Sequence, residues 1–165
     1  MEIRKNQKNG VFTVCYGNNH DHVRYRAGAA SKVDEGEIPL KFTISSSEVY
    51  SELKIPLSSD DHIIGLGGKA LPVEKKRTQS TFWNTDVYGY RNGSDPLYLS
   101  IPFFYIVNRN GSTGVFIDYP GMIKMDFGVE KYDYINIRVI SVDFDIYVIT
   151  GNSLEQSCHS PLQSW

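Results

Sequence analysis

Apolar and polar residues alternate along this chain in short bursts, and the bursts recur almost from end to end. The alternation is clearest in Ile135-Asn136-Ile137-Arg138-Val139 and in Phe144-Asp145-Ile146-Tyr147-Val148. A period of two puts one face of such a segment toward a core and the other outward. Further segments at 11–16, 23–27, 40–44, 49–55, 62–66, 97–107, 114–118, 123–127, 135–141 and 144–150 are short and rich in β-branched or aromatic residues, so each predicts a strand. Asn9-Gly10, Asn92-Gly93 and Asn110-Gly111 supply turns that tolerate positive φ, and Tyr119-Pro120-Gly121 supplies another stop. Asn110-Gly111, between two apolar runs, is the strongest hairpin signal. Many short strands at even spacing with little helical pattern predict an all-β chain folded as a β-sandwich.

One stretch breaks the pattern. Thr81-Phe82-Trp83-Asn84-Thr85-Asp86-Val87-Tyr88-Gly89-Tyr90 follows neither a period of two nor one of 3.6 and reads as a loop. Its Trp and Tyr rings offer flat apolar faces, and Asp86 can accept hydrogen bonds from hydroxyls. Such charge-assisted bonds are worth roughly 1.5–3 kcal/mol each. These residue types together suit a sugar-facing loop. A helix start comes only late, where Ser153-Leu154-Glu155-Gln156 fits a capping box with Ser153 as the cap. Ser157-Cys158-His159-Ser160-Pro161 then carries no apolar stripe, and Pro161 would stop any continuation.

The 165 residues fit one domain. A formal net charge of −2 argues against nucleic acid as a partner. No apolar run approaches the ~18 residues of a membrane span, and the first residues lack the apolar stretch of a secretory signal. A soluble cytoplasmic protein is expected. Cys15 and Cys158 are far apart and lack metal-ligand spacing, so two reduced thiols are expected, with Cys15 as a small core hydrophobe.

Other candidates for chemistry read as structure. His20-Asp21-His22 lies in a polar loop tip, and neither His62 nor His159 has an evident partner in the sequence. Asp60-Asp61 reads as a turn, and Asp143 with Asp145 as a solvated strand face. Gly65-Leu66-Gly67-Gly68-Lys69 lacks the spacing and the following helix of a phosphate loop. It predicts a tight strand exit where backbone passes closely. No catalytic set, metal site or cofactor site can be assembled.

From Gly65 onward an ordered series of motifs resembles a known family. Gly65-Leu66-Gly67 is followed by Thr81-Phe82-Trp83-Asn84-Thr85-Asp86 with Tyr88-Gly89-Tyr90. Asp95-Pro96-Leu97-Tyr98 and Ser100-Ile101-Pro102-Phe103-Phe104 come next, then Gly114-Val115-Phe116-Ile117. Asp143-Phe144-Asp145-Ile146-Tyr147-Val148-Ile149 and Gly151-Asn152-Ser153-Leu154-Glu155-Gln156 close the series. Together they resemble the N-terminal domain of glycoside hydrolase family 31, the α-glucosidases and α-xylosidases, over roughly residues 40 to 156.

The resemblance implies a galactose-mutarotase-like β-sandwich over 1–156, preceding a (β/α)8 barrel that carries both catalytic carboxylates of a retaining α-glycosidase. No such barrel is in this sequence. The resemblance places Asp86, with Trp83, Asn84 and Thr85 beside it, on a loop at the barrel's mouth, facing an α-linked oligosaccharide or glycoside. The chain departs from the family at Gly68, where a Glu is common, and at 157–165, where an amphipathic helix and linker are expected. That tail reads as atypical, as from a frameshift or truncation before the barrel.

The expected function is therefore an accessory domain, inactive alone, lending a substrate-contacting loop to a separate catalytic barrel. An alternative is a free-standing carbohydrate-binding or interaction module. A mutarotase-type epimerase would need a positioned His with an acid, and no histidine lies in the aromatic loop. An apolar docking face would also favour a homo-oligomer.

Overall fold

The alternation is realised as two antiparallel sheets. The computed structural model describes residues 2–6, 11–17, 30–32, 35–86, 88–89 and 91–151. The strands are β1 (Glu2–Asn6), β2 (Val11–Tyr16), β3 (Ala30–Lys32), β4 (Thr43–Ser46), β5 (Ser51–Pro56) and β6 (His62–Gly65). They continue with β7 (Gln79–Phe82), β8 (Phe103–Asn108), β9 (Gly111–Asp118), β10 (Ile123–Phe127), β11 (Tyr134–Val139) and β12 (Phe144–Gly151). A seven-stranded sheet has the order β3-β1-β2-β12-β9-β8-β6, and a five-stranded sheet has the order β4-β5-β11-β10-β7. A single 3-10 turn at Glu35–Glu37 is the only helical element among the described residues. This is the expected all-β sandwich.

Register explains why the layers close. Phe12, Val148, Val115 and Phe104 lie opposite one another in one row across four strands of the larger sheet. Val14, Ile146 and Ile117 form the next inward row. In the smaller sheet Leu53, Ile137 and Met125 share a row, as do Ile55, Ile135 and Phe127. These inner faces meet in one buried core, where Phe104 and Phe127 cross edge-to-face at a centroid distance of 5.2 Å. Each such side chain contributes roughly 1.5–3 kcal/mol by leaving water. Slipping any strand by one residue would turn its apolar set outward, so the rows fix the register.

The larger sheet also carries apolar residues on its outer face. Val11, Tyr147 and Ile149 pack there with Phe103 and Phe116. For that reason β12 is buried on both faces, and Asp145 is buried rather than solvated. The reading of Asp143 and Asp145 as a solvated strand face is thus corrected: Asp145 is buried in β12 between Cys15 of β2 and Asp118 of β9, and Asp143 precedes the strand and is half-buried.

Several predicted boundaries shift for local reasons. The long strand at 97–107 is cut to β8, because Pro102 has no N–H for the ladder. Leu97 instead fills the core as part of the approach. The strand predicted at 49–55 begins at Ser51, since Ser47 closes a turn by accepting the N–H groups of Val49 and Tyr50. The strand predicted at 40–44 is found at Thr43–Ser46, with Leu40 and Phe42 packed against the core outside it. β1 and β3 carry no apolar run that would have announced them.

The hairpin at Asn110-Gly111 forms. Asn108 pairs with Gly111, and the Asn108 side chain accepts the Asn110 N–H at 2.9 Å. Asp61 confirms the turn at 58–61, accepting the Ser58 N–H at 2.7 Å. Cys15 is a buried thiol. The Asn9-Gly10 turn, the segment at 23–27, His20-Asp21-His22, the capping box at 153–156 and the tail at 157–165 lie outside the described residues. Among the described residues, no helix is long and apolar enough to cross a membrane.

Candidate functional site

The glycine-rich exit from β6 sets one wall of the site. Gly65 has φ near 121°, and a Cβ there would stand 2.8 Å from the Phe103 carbonyl oxygen and 2.9 Å from the Phe104 Cα. Backbone therefore passes closely at this point, as the sequence predicted. Leu66 follows with its side chain in the core and its N–H on the Phe103 carbonyl at 2.7 Å. The chain then delivers Lys69 to the foot of the aromatic loop.

That loop does not begin where the sequence suggested. Thr81 and Phe82 belong to β7, and Phe82 is 1% exposed, packed in the core. β7 sits at the edge of the smaller sheet beside β10, where Phe82 lies opposite Ile123. The next residue turns outward: Trp83 is 47% exposed. Asn84 and Asp86 are exposed as well, and Thr85 is half-buried with its hydroxyl donating to the Trp83 carbonyl at 3.3 Å. Tyr88, at 95% exposure, stands almost free of the protein. Among the described residues, no hydrogen bond or ion pair engages the Asp86 carboxylate.

Past the loop, Tyr98, Leu99 and Ile101 are also exposed apolar residues. Leu99 and Ile101 abut Gly68 and Gly67, which brings this run against the exit from β6. Aromatic and aliphatic surface thus follows the loop's base, and the polar groups of Asn84 and Asp86 lie on the loop itself.

The segment between β6 and β7 ties the sheets' ends together. Glu74 accepts the Ile63 N–H at 2.8 Å and pairs with His62 at 2.7 Å. His62 therefore does have a partner, which sequence spacing did not reveal. Burial works against the Glu74 carboxylate, but the N–H groups of Ile63 and Lys76, together with His62, outweigh it and hold its pKa below the ordinary value. The Lys76 ammonium donates to the carbonyls of Ser58, Ser59 and Asp61, each at 2.8 Å. Arg77 donates to the carbonyls of Gly128 and Tyr132 on the far side.

None of these groups forms a catalytic pair with the loop. Among the described residues, no group of three or more His, Cys, Asp or Glu could hold a metal ion. A cavity of about 200 Å3 opens elsewhere, on the outer face of the smaller sheet, between Lys54, Glu130, Lys131, Tyr134 and Asn136. It includes no residue of the aromatic loop.

The sequence pattern of the glycosyl hydrolase 31 N-terminal galactose mutarotase-like domain matches residues 3–126. The chain belongs to this family. Within it, the domain is 34% identical over 132 residues to the alpha-glucosidase of Saccharolobus solfataricus, covering 72% of this chain and 19% of that enzyme. It is 28% identical over 104 residues to the alpha-xylosidase of Emericella nidulans, covering 63% of this chain and 13% of that enzyme. The chain thus spans about a fifth, or less, of these relatives' length. Among solved structures, the Flavobacterium johnsoniae GH31 dextranase in complex with glucose superposes with a TM-score of 0.68 at 23% identity. That match covers 81% of this chain and 17% of the dextranase, and it shows the galactose mutarotase-like fold.

Two residues of this GH31 N-terminal domain escaped the sequence reading. Lys69 and Asp95 meet at the foot of the loop, and no spacing rule connects a lysine after a glycine run with an acid before a proline.

Proposed function

We propose that this domain serves a retaining α-glycosidase of the GH31 type as an accessory sandwich. It lends the loop bearing Trp83, Asn84, Thr85 and Asp86 to the substrate entrance of a (β/α)8 barrel. The observation that supports this reading is the contrast at the start of the loop. Phe82 is locked in the core, while Trp83, Asn84 and Asp86 stand exposed immediately after it, the carboxylate unengaged among the described residues. A carboxylate held ready in this way can accept hydrogen bonds from sugar hydroxyls, and Trp83 can stack on a pyranose face. The exposed Tyr98, Leu99 and Ile101 are suited to cover by the barrel's surface.

The domain alone is catalytically silent in this reading. Retaining hydrolysis needs two carboxylates flanking the scissile bond ~5–5.5 Å apart, and Asp86 has no such partner among the described residues. Its contribution is to binding and orientation of an α-linked glycoside.

The test is a chimera. Residues 81–95 replace the corresponding segment of the Saccharolobus alpha-glucosidase, and Asp86→Ala is then made in that context. Loss of one charged hydrogen bond, about 1.5–3 kcal/mol, predicts a fall in kcat/KM of roughly 10–150-fold. An unchanged kcat/KM removes Asp86 from the site. Calorimetry of the isolated chain with maltose or isomaltose separates the alternative: millimolar or tighter binding would make it a carbohydrate-binding module in its own right.

A further inference from the structure

The Lys69 side chain is fully enclosed, with an exposure of 0%. Its ammonium donates to Asp95 at 2.5 Å and to the Thr81 carbonyl, and it lies 4.5 Å from the centre of the Phe82 ring. The second oxygen of Asp95 accepts the Thr81 N–H. One residue on, the Ala70 carbonyl accepts the Gly93 N–H at 2.8 Å. Every side-chain polar atom of the pair is thereby engaged at the two ends of a single loop. Thr81 enters it, Gly93 and Asp95 leave it, and residues 69 and 70 grip both ends at once.

The chemistry of this clamp is costly in a way that bears on its role. Burying an ammonium and a carboxylate incurs a desolvation penalty that their mutual attraction does no more than offset, and apolar replacements of similar size often leave stability unchanged. Stability is therefore a poor account of a pair whose lysine is fully enclosed and whose aspartate is largely so. Geometry is a better one. The ammonium needs its partners in fixed directions, the carboxylate is divided between Lys69 and a backbone N–H, and the ring face of Phe82 occupies the remaining side. The backbone of Thr81 is held at both its N–H and its carbonyl, so the direction in which Trp83 and Asn84 depart is set two residues before the first exposed side chain.

We propose that Lys69 and Asp95 are positioning residues that fix the presentation of the Trp83–Asp86 segment. They do not themselves touch substrate. This rests on the reading of that segment as substrate-facing.

The experiment uses the full chain without any sugar, in a Trp165→Phe background so that Trp83 is the sole indole. Asp95→Asn, which keeps an oxygen for the Thr81 N–H, is compared with the pair Lys69→Met/Asp95→Asn, which removes both charges. The expected result for the pair is a urea midpoint close to that of the parent and unchanged amide exchange in β9 and β12. At Thr81 and Gly93 exchange rises at least tenfold, and the fluorescence anisotropy of Trp83 shows a larger fast local component. Asp95→Asn alone leaves the Lys69 ammonium enclosed without its counter-charge and gives a larger rise at the same amides. Parent-like exchange at Thr81 and Gly93 in the double variant overturns the proposal. So does acceleration of the loop and the core together, or loss of the fold, because either makes the pair a support of the whole sandwich. No step involves a ligand, so failure of the substrate-facing reading is seen separately, in the chimera's kcat/KM.

Discussion

The guanidinium of Arg77 lies 3.4 Å from the centre of the Tyr132 ring. It reaches that position from a backbone with φ near 67°, a conformation unusual for any residue but glycine. The same side chain bonds the Gly128 carbonyl at 2.7 Å and the Tyr132 carbonyl at 2.8 Å, joining the approach to β7 with the turn after β10. Side chain and backbone act in opposite directions here, and substitution can separate them. Arg77→Ala loses the two bonds and the stacking but keeps the strained φ, and is expected to destabilise by about 1–3 kcal/mol. Arg77→Gly loses the same contacts but relieves the backbone, and should be the more stable of the two by about 1 kcal/mol. Urea midpoints at constant m-value measure both; equal midpoints would mean the backbone carries no strain.

Phe82 and Trp83 are neighbours in sequence with opposite environments. Phe82→Ala opens a cavity at the core and should cost about 3–5 kcal/mol. Trp83→Ala is expected to cost clearly less, about 1–2 kcal/mol, since nearly half of its surface already lies in water. Paired thermal unfolding curves check the contrast. A large loss at Trp83 would place the ring in the domain's own packing and weaken its case as a sugar platform.

The Glu74 carboxylate has a lowered pKa in the folded protein, against a reference value of 4.5. A depressed acid contributes stability that is fully present above its unfolded pKa and is lost as pH falls through the folded value. Glu74→Gln should therefore be less stable than the parent at neutral pH. The gap should narrow steadily as pH drops below about 4.5. Chemical denaturation across pH 3 to pH 7 reads this out. A gap independent of pH would show that the hydrogen bonds to Ile63 and Lys76 do not depend on the charge.

Gly65 and Gly68 lie three residues apart and should respond differently. At Gly65 a Cβ collides with backbone of β8 in a positive-φ conformation, so Gly65→Ala should cost more than about 2 kcal/mol. At Gly68 the nearest atom is the Leu99 Cδ2 at 3.3 Å, the tip of an exposed side chain that can move aside. Gly68→Glu, introducing the residue that the family resemblance leads one to expect there, should change stability by less than about 0.5 kcal/mol. Circular dichroism melts of the two variants decide it.

The inner rows of the sandwich were legible because a half-buried strand must alternate, as β11 does in sequence and in burial, while β12 alternates in sequence although both of its faces are covered. The tight exit at Gly65 was legible because glycines cluster where backbones crowd. What the sequence hid were pairings between distant residues. β1 has Ile3 as its single aliphatic residue and is placed by its ladder with β2, not by its own pattern. Phe82 looked like part of a loop because β7 is an edge strand of four residues, too short to display a period. His62 with Glu74, and Lys69 with Asp95, depend on how the connection between β6 and β7 folds back, and no local spacing encodes that.

The position of β12 has a consequence for how the domain is made. Val14, near the start of the chain, lies opposite Ile146, near the end of the described residues, in the middle of the larger sheet. During synthesis the hairpin of β1 and β2 must therefore wait, with Phe12 and Val14 uncovered and one edge open, until almost every other strand has left the ribosome. Pairings so distant in sequence form slowly, in milliseconds to seconds for all-β domains. Throughout that wait the open edge of β2 can recruit a strand from another nascent chain. Among the described strands, the twelfth is the one that closes the edge left open by the second.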